Sequence, residues 1–280
     1  MPTSPVHADL PPVHQVAMTR PLAWLALGWR DMWRCGPLSL LHGVAMMGFG
    51  ALIAWFAHDQ FWWLAGAFSG FMVVAPVLAT SLYALSRAIE RGEPADLALV
   101  QRTWLNWQRS HRNKWGNDYW CLVQFGSLLG ASATGWVLTS AALITLLAPV
   151  PILSPVDFLR HVVLADGGWL FEFWLVLGGI MAAPIFASSV VAIPLLLDRR
   201  VSLRVAVLTS WRCVTDNPVC MAAWAALIML LVTFGLATLL LGLVVVMPVL
   251  GHASWHAYRD LVDVSGLPER NALTDVAEGR

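Results

Sequence analysis

The chain has 280 residues, of which 58% are hydrophobic and 12% charged, with a formal net charge of zero and a mean hydropathy of +0.67. That balance excludes a soluble globular domain and offers no basic excess for nucleic acid. Several apolar runs reach the ~20 residues that carry a helix across ~30 Å of hydrocarbon, so the chain reads as an all-α, polytopic membrane helix bundle in a lipid bilayer.

Residues 1–19 carry four prolines and little apolar periodicity, and they read as a disordered tail without the basic-then-apolar order of a signal peptide. Residues 21–34 (PLAWLALGWRDMWR) place apolar and aromatic side chains at three- and four-residue spacing, with Arg30, Asp31 and Arg34 in the polar half. This predicts an interfacial amphipathic helix, ended by Gly36-Pro37. Six membrane spans follow, at about 39–57, 61–86, 121–148, 169–197, 219–240 and 243–260. The apolar run 218–258 is too long for one crossing, which predicts a tight turn near Leu241-Gly242.

Basic residues fall on one side of this topology. Sixteen lie in the segment before the first span, in the 87–120 and 198–218 loops and at or beyond the end of the last span, and only Arg160 lies opposite. The positive-inside rule then puts both termini in the cytoplasm. Most of the sixteen tryptophans flank the apolar runs, as in an aromatic belt: Trp24, Trp29, Trp33 and Trp211 at one face, Trp55, Trp169 and Trp174 at the other. Outside the membrane, Ser154, Pro155 and Asp157 predict an N-cap, a first-turn proline and an N3 acid for a short helix over 155–165, stopped by Gly167-Gly168.

The chain repeats itself. With Pro76 set under Pro248, seven of the eighteen positions from Gly70 to Arg87 match those from Gly242 to Arg259, and Pro194 marks a weaker third copy. Amphipathic stretches at 94–107 and 202–214 repeat the design of 21–34. We read three parallel repeats, about 20–92, 93–200 and 201–263, each an amphipathic helix followed by two spans, within a membrane domain 20–263 and ahead of a flexible tail 264–280.

Pro76, Pro194 and Pro248 each lack an N–H and free a carbonyl four residues back, so each kinks its helix. Position +4 after the proline is Thr80, Asp198 and His252 in the three copies, and His256 lies one turn beyond His252. These four residues form the candidate intramembrane polar site, because an ionisable group in a membrane is a functional candidate and histidine carries a proton or a metal near neutral pH. Static packing is the competing reading. No cofactor is expected, although a metal or haem at His252 and His256 stays open. The four cysteines show no CxxC spacing, and there is no Walker A, G-x-S-x-G or HExxH motif, so enzyme activity has no positive support.

The repeats, the Trp-Arg helices and the ending GHASWHAYRD (251–260) together resemble a bacterial family of six-span inner-membrane proteins catalogued as a domain of unknown function. The matching stretches are 24–43, 70–92, 194–218 and 243–260, and the resemblance spans roughly 20–263. Residues 110–119 are longer than the family's usual link. Some relatives carry the label of a cytochrome oxidase catalytic subunit, which needs more intramembrane histidines than His42, His252 and His256 supply. The resemblance implies membrane location and topology and no activity. The leading expectation is a non-enzymatic scaffold or assembly protein, with a membrane-protein partner or a homo-oligomer possible. The alternative is a small-solute or ion permease, and the third is a metal- or haem-binding redox protein.

Overall fold

A computed structural model describes residues 10–57, 62, 66–67, 71, 79–109, 120–165 and 167–270. The expected kink at Pro76 and the long link at 110–119 lie outside the described residues. Within them the chain is helical, and no strand forms beyond two isolated bridges. The helices are α1 (Arg20–Cys35), α2 (Pro37–Ala57), α3 (Thr80–Arg91), α4 (Leu97–Arg109), α5 (Trp120–Leu147), α6 (Pro155–Phe158), α7 (Leu170–Ser189), α8 (Ala192–Asp198), α9 (Leu203–Asp216), α10 (Pro218–Ala237) and α11 (Leu243–Leu261).

Four stretches are long and apolar enough to cross a membrane: Pro37–Phe56, Gln124–Leu147, Leu170–Asp198 and Pro218–Ala237. Three of them are buried over only 22% of their most apolar window, leaving Phe49, Leu138 and Met229 exposed. Helices so apolar on every side are stable only where the surroundings are themselves apolar, as lipid is. The second expected span, 61–86, is only partly described. The sixth, α11, has the length of a span but is not apolar enough to count as one, because its second half carries His252, Trp255, His256, Tyr258, Arg259 and Asp260.

α11 is the packing centre. Its most extensive contact is with α1, followed by α2 and α3. Glycines allow the close approach: a Cβ on Gly28 would lie 2.6 Å from the Val249 carbonyl oxygen and 2.7 Å from the Ala253 nitrogen. Gly43 of α2 presses on the Val244 carbonyl, the group that Pro248 leaves without its helical donor. The carbonyl freed by Pro248 is thus covered by protein backbone. At Pro194 the chain breaks, with α7 ending at Ser189 and α8 starting at Ala192, so the proline falls in a first turn that needs no N–H. All seven residues of α8 are buried.

The tight turn between α10 and α11 occupies 238–242, where Leu239 (φ 53°) and Leu240 (φ 70°) are left-handed and the Gly242 N–H donates to Thr238 Oγ1 at 2.9 Å. Outside the bundle, Ser154 and Asp157 close the expected capping box (3.1 and 2.9 Å), and the helix continues as a π turn to Val163 before Gly167 at φ 68°.

Three expectations change. Residues 10–19 are not a disordered tail: His14 N–H donates to the Leu261 carbonyl (2.8 Å), Asp263 N–H to that of Pro12 (3.0 Å), and Val16 N–H to Asn217 Oδ1 (2.8 Å). Prolines disfavour a helix there but permit a non-helical segment whose free backbone groups find these partners. Residues 264–270 also pack, with Val264 and Arg270 buried and Arg270 N–H on the Asp198 carbonyl at 2.9 Å. Finally, Trp24 leaves the expected belt. It is fully buried, edge-on to Trp224, with its indole N–H on Asp260 (2.9 Å), whereas Trp29, Trp33, Trp55, Trp169 and Trp211 are exposed.

Candidate functional site

The polar half of α11 distributes its side chains over four helices, α1, α2, α3 and α8. His252 meets Ser39 Oγ through Nε2 (2.8 Å) and Ser86 Oγ through Nδ1 (2.7 Å). Trp255 donates to Glu90 Oε2 (2.9 Å), and Arg259 reaches Oε1 of the same carboxylate (2.9 Å). His256 Nε2 lies 2.7 Å from Asp31 Oδ2, Tyr258 donates to Asp198 Oδ2 (2.8 Å), and Asp260 accepts from Arg20 (2.6 Å) and Trp24. In a poorly hydrated interior such groups are costly unless satisfied, so this set both specifies and locks the position of α11.

Two clusters emerge. The first joins four helices: Asp31 from α1, Ser39 and His42 from α2, Ser81 and Ser86 from α3, and both histidines from α11. Ser86 donates to Asp31 Oδ2 at 3.0 Å, and His42 meets Ser81 Oγ at 2.8 Å and the Leu38 carbonyl at 2.7 Å. His252, Ser39, Ser86 and Asp31 are all buried, and Asp31 Oδ1 has no hydrogen-bond partner, with Arg30 Nε 3.8 Å away. Burial by itself would raise the Asp31 carboxyl, but hydrogen bonds from His256 and Ser86 outweigh it and hold the group below its ordinary value.

The second cluster surrounds Asp198 at the C-terminus of α8. Arg87 lies 2.9 Å from Oδ1, Arg91 3.3 Å from the same oxygen, and Arg199 3.0 Å from Oδ2, with Glu269 paired to both Arg91 (3.2 Å) and Arg199 (3.5 Å). It ties α3, α8, α11 and residues 267–270 together.

Of the four predicted site residues, His252 and His256 share the Asp31 network. Asp198 stands in the ionic cluster and connects to α11 through Tyr258. Thr80 is buried at the start of α3 and takes part in neither set of hydrogen bonds described above. Sequence reasoning missed Asp31, Ser39 and Ser86. Asp31 was placed on the polar side of an amphipathic helix; its signal is the three-residue spacing from Gly28, which puts it on the face that meets α11. Among the described residues no group of three or more His, Cys, Asp and Glu is placed to hold a metal. Both His252 nitrogens are already engaged. Burial pushes the Cys213 thiol up to about 12, as suits an apolar filler rather than a ligand.

No curated protein and no solved structure matches the chain. Residues 63–198, a little under half of the chain, match the family model described as "Predicted integral membrane protein (DUF2189)". The match covers the segment from the second expected span through Asp198, so over these residues the chain is similar to an integral membrane domain of unknown function, as the sequence resemblance implies.

Proposed function

We propose that this is a multi-pass protein of the bacterial inner membrane with six spans in three parallel units, both termini in the cytoplasm, and a non-enzymatic scaffold or assembly role. The observation that carries the role is the complete internal use of the polar half of α11. His252, Trp255, His256, Tyr258, Arg259 and Asp260 each hold a partner within the chain. A permease keeps polar groups free for cargo at its axis. Here they are spent on joining helices, which supports a rigid body over a conduit. The order of amphipathic helix then apolar helix, seen in α1–α2, α4–α5 and α9–α10, supports the three-unit reading.

The second reading, an ion or small-solute permease, draws on the buried Asp31 and His252 and the half-buried His42, since ionisable groups inside a membrane often mark a path. Purified protein in vesicles with a trapped pH-sensitive or ion-sensitive dye separates the two. The scaffold reading expects leak equal to that of protein-free vesicles. Flux that disappears in His252→Leu refutes it in favour of the permease.

A further inference from the structure

The first polar cluster contains a continuous chain of hydrogen bonds whose direction can be read. Ser86 donates its hydroxyl proton to Asp31 Oδ2, so its oxygen is left to accept, and the atom facing it at 2.7 Å is His252 Nδ1. That nitrogen therefore carries the hydrogen. In the neutral ring Nε2 is then an acceptor, and the Ser39 hydroxyl donates to it at 2.8 Å. The sequence of bonds is Ser39 to His252 to Ser86 to Asp31, every member is buried, and the terminal carboxylate keeps one oxygen without a partner. Three links of this length are also a route along which protons exchange places without any helix moving.

We propose that Ser39, His252, Ser86 and Asp31 form a proton relay, a buried site that binds one proton and couples the state of Asp31 to the tautomer of His252. The step balances as follows. Ser39 passes its hydroxyl proton to His252 Nε2, His252 passes its Nδ1 proton to Ser86, and Ser86 passes its own proton to Asp31. Ser39 regains a proton from the medium on the side of the half-buried Cys35. Four bonds to hydrogen form within the chain, counting the one that restores Ser39, and three break. The net uptake is one proton. Asp31 ends as a carboxylic acid, while His252 ends neutral with its hydrogen on Nε2 and all hydrogen bonds reversed.

The groups facing this site decide its chemistry. Arg30 stands 3.8 Å from Asp31 Oδ1 and Cys35 lies one turn further along α1; α2 presents His42; α3 presents Glu90, already held by Trp255 and Arg259; and α11 presents His256 on Asp31 Oδ2. Protonation turns Asp31 from an acceptor into a donor and removes the charge that His256 meets. The relay thus reports a proton to the contact between α1, the surface helix, and α11.

The test uses the full-length protein in detergent micelles with 15N-labelled histidine, titrated from neutral to below about pH 4. His252 is assigned by loss of its signals in His252→Gln, and Asp31 protonation is followed by infrared spectroscopy against Asp31→Asn. The relay expects His252 to change from the Nδ1–H to the Nε2–H tautomer with the same midpoint as Asp31. In Ser86→Ala the carboxyl still titrates and the ring keeps one tautomer. A single tautomer throughout in the unmodified protein overturns the proposal. So does an imidazolium at His252, or a Ser86→Ala variant that follows the unmodified protein. The unmodified protein alone decides the matter if that variant does not fold.

Discussion

The contact of Gly28 with α11 is the sharpest test of the packing described above. In Gly28→Ala the added Cβ would meet the Val249 carbonyl oxygen at 2.6 Å, the Ala253 nitrogen at 2.7 Å and the Ala253 Cβ at 2.9 Å. Two of these are backbone atoms, which cannot rotate aside, so α1 must retreat by about 1 Å to restore ordinary contact near 3.5 Å. Overpacking of this kind costs about 3 kcal/mol at its upper end. Alanine returns about 1 kcal/mol through its better helix propensity, leaving a net loss of about 2 kcal/mol. Retreat also lengthens Asp31–His256 and Trp24–Asp260, which lie on the same face of α1. Gly130→Ala is the control, because nothing lies within 4 Å of its Cβ position and propensity should make it neutral or stabilising. Heating each variant in detergent and measuring the fraction that remains monodisperse by size exclusion gives the comparison. Gly28→Ala surviving as well as the unmodified protein would refute the close approach of α1 and α11.

Three further outcomes follow from the same geometry. Asp260→Asn keeps the shape but removes the charge that receives Arg20 at 2.6 Å and Trp24 at 2.9 Å, and should cost about 1–3 kcal/mol in the same heating assay, with a change in Trp fluorescence. Asp31 is held below its ordinary value of about 3.9, so the stability it contributes is complete above that value and is lost as pH falls through its folded-state value; a melting profile against pH should therefore be flatter at the acid end in Asp31→Asn. Reporter fusions after Asp59 and after Arg160 should read as periplasmic and one after Asn113 as cytoplasmic, and a cytoplasmic signal at Asp59 contradicts the proposed topology.

Apolar length and turn chemistry belong to the sequence itself. Pro37–Phe56, Gln124–Leu147, Leu170–Asp198 and Pro218–Ala237 were legible as spans because hydrocarbon thickness and rise per residue set a length that any window reveals. The capping box at Ser154 and the turn before Leu243 were legible because both are made by residues within a few positions of each other. The two histidines, i and i+4 on one helix, were placed on one face for the same reason. What no local pattern could supply was the identity of their partners. Asp31 and His256 are 225 positions apart, Ser86 and His252 are 166, and Tyr258 and Asp198 are 60. An amphipathic helix shows which residues share a face, not whether that face meets water or another helix. Asp31 and Trp24 were accordingly read as surface groups, and the prolines near the N-terminus as disorder. Only the packing of α11 among α1, α2 and α3 decided otherwise, because burial in a poorly hydrated interior makes each polar group find a partner, and the fold determines which one is within reach.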